Sequence, residues 1–275
     1  MEWGRVKNII ILVLLMVNGF LLVLVSARRG EVLRYEQAAV DQAVQVLEEN
    51  GIRVSVDDVA PAERLAAQTV ERSISAEEAL ACALLDETAV AQNQGGGLYF
   101  YEGKRGTVSF RAGGEMAAVL DADPRWHGND PTAHATQLLS DMQIKAELME
   151  TNMTDGTGTV TFRQLWGDVP LFPCRVTFIY KNGELVTIGG TLLPGEGGAA
   201  ESGALLDIPT ALLRFLDEIL ASGDVCSEVV SMEPGYRMTQ SFSSSLRLNP
   251  VWLISSNTAE YYMDAATGEL SRLTG

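Results

Sequence analysis

Residues 9–25 read IIILVLLMVNGFLLVLV, an apolar run without a charge and interrupted only by Asn18 and Gly19. At ~1.5 Å per residue, a helix over residues 6–27 matches the ~30 Å hydrocarbon thickness of a bilayer, so the pattern predicts a membrane span. Trp3 then lies at headgroup depth, with Arg5 and Lys7 before the span and Arg28 and Arg29 after it as interface anchors. A cleaved export signal ending at Val25-Ser26-Ala27 is the competing assignment. The apolar run is longer than the ~7–15 residues of a signal core, and two arginines follow it at once. Asn18-Gly19 in mid-membrane would form a partner face: the amide gains from a hydrogen bond to another helix, and glycine lets that helix approach.

Beyond the apolar run the periodicity changes. Residues 33–50 carry Ala39, Ala43, Val46 and Leu47 on one helical stripe, with Asn50-Gly51 as a stop. Residues 52–56 are β-rich, and Ser75-Ala76-Glu77-Glu78 resembles a capping box ahead of Ala79, Leu80, Ala83 and Leu84. A polar, Gly-rich breaker at 92–97 precedes a hairpin of strands 98–101 and 107–111. Asp130-Pro131 opens a helix with Leu138, Leu139 and Met142 on its apolar side, and a domain boundary is expected there.

Strands are then expected at 144–152, 158–166, 174–181 and 184–192. Val176, Phe178 and Tyr180 alternate with Arg175, Thr177 and Ile179, and Asn182-Gly183 supplies a hairpin turn. A small-residue linker over 195–203 leads to a helix from Pro209 with Leu212, Leu213, Leu216, Ile219 and Leu220, ended by Gly223. Strands at 225–232, 250–255, 260–264 and 269–273 follow. One design is thus repeated from Pro131-Thr132 and from Pro209-Thr210: a helix, then an antiparallel sheet that buries one face beneath it. The fold class is α+β, with an anchor over residues 1–30, a membrane-proximal domain over 31–130 and a tandem helix-plus-sheet domain over 131–275.

Composition narrows the functions. With 20 basic against 36 acidic residues and a net charge of −16, the chain lacks the clustered cations that nucleic acid requires. Cys82, Cys174 and Cys226 are too far apart for a metal-ligand or redox pair and read as isolated apolar thiols, although an exported chain could pair two of them. His127 and His134, the only histidines, are not spaced as helical metal ligands; the serine run at 241–245 lacks a nucleophile elbow; Asp264 and Glu269 flank a hairpin turn. Neither catalysis nor a cofactor or metal is expected. The aromatics of the repeated units, Trp166, Phe172, Trp252, Tyr261 and Tyr262, are expected to pack within the sheets, and form a peptide-binding face if several point outward.

Three stretches carry a resemblance. The start MEWGRVKNIIILVLLMVNGFLL is similar to a short acidic-Trp leader feeding a membrane anchor. The stretch FRQLWGDVPLFPCRVTFIYKNGEL holds a Gln-x-x-Gly-x-x-Pro-Leu-Phe hairpin, and GYRMTQSFSSSLRLNPVWLISSNTAEYYMDAATGEL holds Gly-Tyr, Leu-x-Pro-x-Trp and Tyr-Tyr-x-Asp-Ala-x-Thr-Gly-Glu. Together and in this order they resemble the YycI family of regulators, related to YycH, and the tail is also similar to PepSY-type modules; residues 52–130 match only in general character. The resemblance implies a single-pass protein of Gram-positive bacteria with its N-terminus cytoplasmic, which charge counting alone leaves open. It also implies a helix touching the membrane helices of a two-component sensor histidine kinase, outer domains tuning cell-wall metabolism, and a YycH-like paralogue as a further partner. It transfers no catalytic residue. The alternative is an extracytoplasmic module that binds or restrains a wall hydrolase, a protease or a peptide, with the helix only a tether.

Overall fold

The computed structural model describes residues 3–54, 65–85, 89–121, 130–195, 198–201, 205–240 and 245–273. Its first element, α1 (Trp3–Glu49), is one continuous helix where the sequence suggested two. Between the two expected segments stands only Gly30, and a single glycine costs a helix about 1 kcal/mol, which its Arg, Glu and Leu neighbours offset. Over residues 11 and 14–22 the side chains are exposed, Met16 at 69% and Leu22 at 71%, whereas Ala43, Val44 and Leu47 near the other end are buried. Among the described residues, no helix is long and apolar enough to cross a membrane.

After α1 come β1 (Arg53–Val54), β2 (Ala67–Val70) and α2 (Ile74–Leu85). The expected capping box is displaced: Ser73, not Ser75, caps α2, its Oγ accepting from the Ala76 amide at 3.2 Å. Glu77 turns instead to Arg72. Strands β3 (Val90–Asn93), β4 (Tyr99–Gly103), β5 (Gly106–Phe110) and β6 (Glu115–Leu120) lead to α3 (Pro131–Asp141), whose N-cap Asp130 accepts from the Thr132 and Ala133 amides. Then follow β7 (Ala146–Thr154), β8 (Thr157–Trp166), β9 (Val169–Lys181) and β10 (Glu184–Thr191); Asn182 and Gly183, with φ of 54° and 81°, make the expected turn between the last two. The small-residue linker contains a short strand, β11 (Ala199–Glu201). Helix α4 (Ile208–Ser222) starts on Asp207, whose Oδ1 accepts from the Thr210 amide. Finally come β12 (Glu228–Gln240), β13 (Leu246–Ser256), β14 (Glu260–Asp264) and β15 (Leu270–Arg272).

The strands form one connected network of two parts. An eight-stranded antiparallel part runs β3-β4-β5-β6-β10-β9-β8-β7. The other runs β11-β2-β13-β12, with β14 and β15 continuing from β13 and β1 lying parallel against β12. A parallel bridge between Tyr236 and Leu171 joins β12 to β9. The sheet is therefore built across residue 130: β6 pairs with β10, and β2 with β13.

Strand alternation decides which side is covered. In the larger part Met116, Ala118, Val160, Phe162, Val176, Phe178 and Ile188 point into a core shared with Leu80, Leu84, Leu138 and Leu139 of α2 and α3. In the smaller part Met232, Trp252, Ile254, Tyr261 and Met263 pack with Leu212, Phe215 and Ile219 of α4 and with Leu47 of α1. Leu213 and Leu220, expected on the apolar stripe of α4, face outward at 39% and 60% exposure, because Ala211 and Phe215 set the stripe instead. The alternate residues Ala117, Val119, Thr177, Ile179 and Thr187 lie on the opposite side of the larger sheet, exposed or half-buried.

Candidate functional site

Where the two sheet parts meet, polar and aromatic residues gather on the side away from the α4 core. Arg163 of β8, 8% exposed at its side chain, is clamped by two carboxylates: Nε donates to Glu147 of β7 at 2.5 Å and Nη2 to both oxygens of Glu233 of β12, at 2.8 and 3.0 Å. Its guanidinium lies 5.2 Å from the centre of the Phe172 ring, and Phe172 in turn lies 5.7 Å from the Tyr262 ring. Arg237 of β12 covers Tyr262 at 5.6 Å and donates weakly to the Ser271 hydroxyl at 3.4 Å. The seam thus alternates cation and ring, an arrangement that stabilises each guanidinium by the ring quadrupole.

The backbone shape follows from Gly235. A Cβ there would stand 2.5 Å from two atoms of the Phe172 ring, so only glycine lets the ring lie flat on β12. Next to it the Tyr236 hydroxyl donates to the Ala66 carbonyl at 3.1 Å, while Gln68 donates to that hydroxyl and accepts from the Trp166 indole. Gln164 reaches across to Leu193, its amide nitrogen donating to the carbonyl at 2.8 Å and its oxygen accepting from the amide at 2.9 Å. The side chain stands in for a strand partner and ties β8 to the segment after β10.

The structure separates the five aromatics singled out from the sequence. Trp252 and Tyr261 are not on an open face: each is 1% exposed in the core beneath α4, where Tyr261 meets Phe215 edge-on and donates to Asp224 at 3.0 Å. Trp166 is buried in the Gln68 network. Phe172 is buried but forms the floor of the seam, and Tyr262, half-buried, is the one that reaches the open side. A groove of about 190 Å³ lies beside it, lined by Arg237, Thr239, Asn249, Tyr262, Glu269 and Ser271 among others. Asn18 and Gly19 are exposed on α1, and no atom lies within 4 Å of a Cβ built at Gly19. The side chains of Trp3, Arg5, Lys7, Arg28 and Arg29 lie outside the described residues, as does His127.

Arg163, Glu147, Glu233 and Arg237 were not picked out from sequence. The outward phase of the Val176–Tyr180 alternation marked Arg175 and its neighbours as facing away from the core, but their charge partners come from strands distant in the chain.

The other chemistry-bearing residues serve the fold. Tyr180 gives its hydroxyl proton to the Pro131 carbonyl, which requires His134 Nδ1, 3.0 Å away, to be the donor towards Tyr180. Asp264 Oδ1 accepts from the Ala266 and Thr267 amides and shapes the final hairpin. Among the described residues no group of three His, Cys, Asp or Glu side chains is placed to hold a metal ion. All three cysteines are free thiols.

Burial pushes the Cys174 thiol up to about 12 from an ordinary value of 9.0. The folded state therefore holds that proton more tightly than the unfolded chain does. Its contribution to stability is complete below pH 9 and declines as pH rises from there towards 12. Iodoacetamide at pH 8.5 is expected to label Cys82 and Cys226, which are half-buried, and to reach Cys174 only after urea is added; peptide mass mapping reads the difference. Equal labelling of all three in the native protein would refute the buried placement.

These observations define an α+β protein with helices on one side of an antiparallel sheet and an arginine-aromatic seam on the other. No family model matches the sequence, and no curated protein does. Among solved structures the chain is similar to an uncharacterized protein from Eubacterium rectale, at 11% identity and a TM-score of 0.49, covering 82% of this chain and 92% of that one. It is also similar to the Bacillus megaterium YpeB C-terminal domain, at 15% identity and a TM-score of 0.36, over 75% of this chain and all of that one. Likenesses this distant carry no functional argument.

Proposed function

We propose that this chain is a membrane-anchored accessory regulator of a two-component sensor histidine kinase linked to cell-wall homeostasis. Its N-terminal helix crosses the bilayer from a cytoplasmic N-terminus, and its α+β part lies on the extracytoplasmic side. The observation that carries the proposal is α1 itself, which exposes Leu14, Leu15, Met16, Val17, Phe20, Leu21 and Leu22 in one stretch and packs Ala43, Val44 and Leu47 into the α4 core at its other end. A helix apolar on all sides needs an apolar surrounding, and lipid supplies it. Because the same helix runs without a break into the folded part, a shift of the span is conveyed directly to α4. The order of sequence motifs resembling YycI and YycH proteins supports the choice of partner.

Asn18 and Gly19 are the partner contact on this account. Asn18→Leu and Gly19→Leu, each facing open space within this chain, are expected to lower recovery of a co-expressed kinase several-fold, in line with about 0.6–2 kcal/mol for one polar contact between membrane helices. Affinity purification from detergent extracts measures it. Unchanged recovery, with the protein still in the membrane fraction after alkaline washing, removes the kinase contact; loss of the unmodified chain from that fraction removes the anchor as well.

The open seam favours a second role, an extracytoplasmic module that binds or restrains a wall hydrolase, a protease or a peptide. In that case a fragment from about residue 31 retains the activity of the whole chain.

A further inference from the structure

We propose that the seam beside Tyr262 is a binding site for a single oxyanion, of carboxylate or phosphate type, held between the guanidinium groups of Arg175 and Arg237. This site goes beyond the regulatory proposal and stands without it.

The chain has an acidic excess of sixteen, so an arginine has many carboxylates available. Arg163 takes two of them. Arg175 and Arg237 take none among the described residues: both are exposed, and neither forms an ion pair. Arg175 lies directly across from Arg163 in the β8–β9 ladder. Like charges placed opposite one another in a sheet repel, so the fold carries an unfavourable pair that a bound anion would relieve. Arg237 is fixed over the Tyr262 ring on the next sheet part, and both arginines act electrostatically on the Tyr262 phenol.

That phenol completes the site. Its hydroxyl has no hydrogen-bond partner among the described residues. Burial raises its pKa, with Arg175, Arg237 and Arg163 pulling the other way, and the outcome is a neutral hydroxyl able to donate. Two guanidinium forks and one O–H form a donor set suited to the planar or tetrahedral oxygens of a carboxylate or phosphate. The groove also limits what enters. Asp264 and Glu269 line its far side, so a polyanion would meet repulsion after its first charged group, while one oxyanion near Arg237 avoids both. Asp264 Oδ1 is already engaged by two backbone amides.

Thermal unfolding of the full chain in detergent micelles at pH 7 tests the site, with sodium phosphate, sodium acetate and sodium chloride compared at matched ionic strength. The expected result is a saturable rise in the midpoint with phosphate, acetate or both, and none with chloride. Arg175→Gln and Arg237→Gln are each expected to raise the concentration for half-saturation about tenfold, the scale of one charge-assisted hydrogen bond. Arg53→Gln, which removes an exposed arginine already paired with Glu228, should leave it unchanged. Tyr262→Phe keeps the ring stack and loses only the hydroxyl, so it should weaken binding without altering the far-ultraviolet circular dichroism. Saturation by phosphate alone assigns a phosphate ligand, and by acetate alone a carboxylate. Both anions behaving as chloride does, or both arginine variants saturating as the parent does, overturns the site.

Discussion

Replacing Arg72 with alanine is expected to destabilise the protein by about 3–5 kcal/mol, the scale for breaking a buried ion pair from one side. Glu77, 3% exposed, receives two of the arginine's donors, at 2.6 Å from Nε and 2.9 Å from Nη2. The guanidinium also donates to the Gly97 and Phe110 carbonyls, at 2.6 and 3.3 Å, and lies 5.1 Å from the Tyr99 ring centre. One side chain therefore ties the start of α2 to the β4–β5 hairpin. Its removal leaves a buried carboxylate with no counter-charge and frees two carbonyls together. Urea unfolding followed by circular dichroism reads the loss. Removing both charges, Arg72→Met with Glu77→Met, is expected to cost clearly less than Arg72→Ala, because the desolvated charge disappears with its partner. A double variant as damaged as the single one would show that the carbonyl contacts, and not the ion pair, dominate.

The second large effect falls on the seam. Gly235→Val is expected to cost about 3 kcal/mol, at the upper end for forcing volume into a packed site. The new Cβ would stand 2.5 Å from the Phe172 ring and 2.8 Å from the Pro170 carbonyl, and neither has room: Phe172 is 2% exposed, and the carbonyl belongs to β9. The ring must leave, and it carries the contacts to Arg163 and Tyr262. Near-ultraviolet circular dichroism should lose aromatic signal along with the stability, and oxyanion binding should fall with both. Gly235→Val combined with Phe172→Leu restores part of the stability if the clash is with the ring, and none if it is with the backbone.

Both sites mark how far the sequence could be read. The Ser75–Glu78 box pointed correctly to a helix start, but Glu77 had a stronger partner five residues back, and the cap moved to Ser73. The Gly-Tyr pair in the tail was visible as a motif, yet nothing local said that its glycine would meet a phenylalanine more than sixty residues earlier. Trp252 and Tyr261 were grouped with Phe172 and Tyr262 because all four sit in repeated strands. Whether a given position faced α4 or the open side depended on register with neighbours not adjacent in the chain. Arg163 shows the same limit: its outward phase on β8 was set by alternation, while Glu147 and Glu233, which decide its burial, arrive on β7 and β12.

What the sequence determined by itself is local and periodic. The apolar stretch at 9–25, the capped helices after Asp130 and Asp207, the Asn182-Gly183 turn and the two helix-then-strands units all follow from side-chain spacing and backbone preference within a few residues. The tertiary structure decided the rest: β2 inserted beside β13, β6 beside β10, α1 continued from its apolar stretch to the α4 core, and two arginines left without carboxylates around one tyrosine. Alternation tells a strand which residues share a face but not which strand lies alongside. That choice is made by edge hydrogen bonds and packing between segments far apart in the chain.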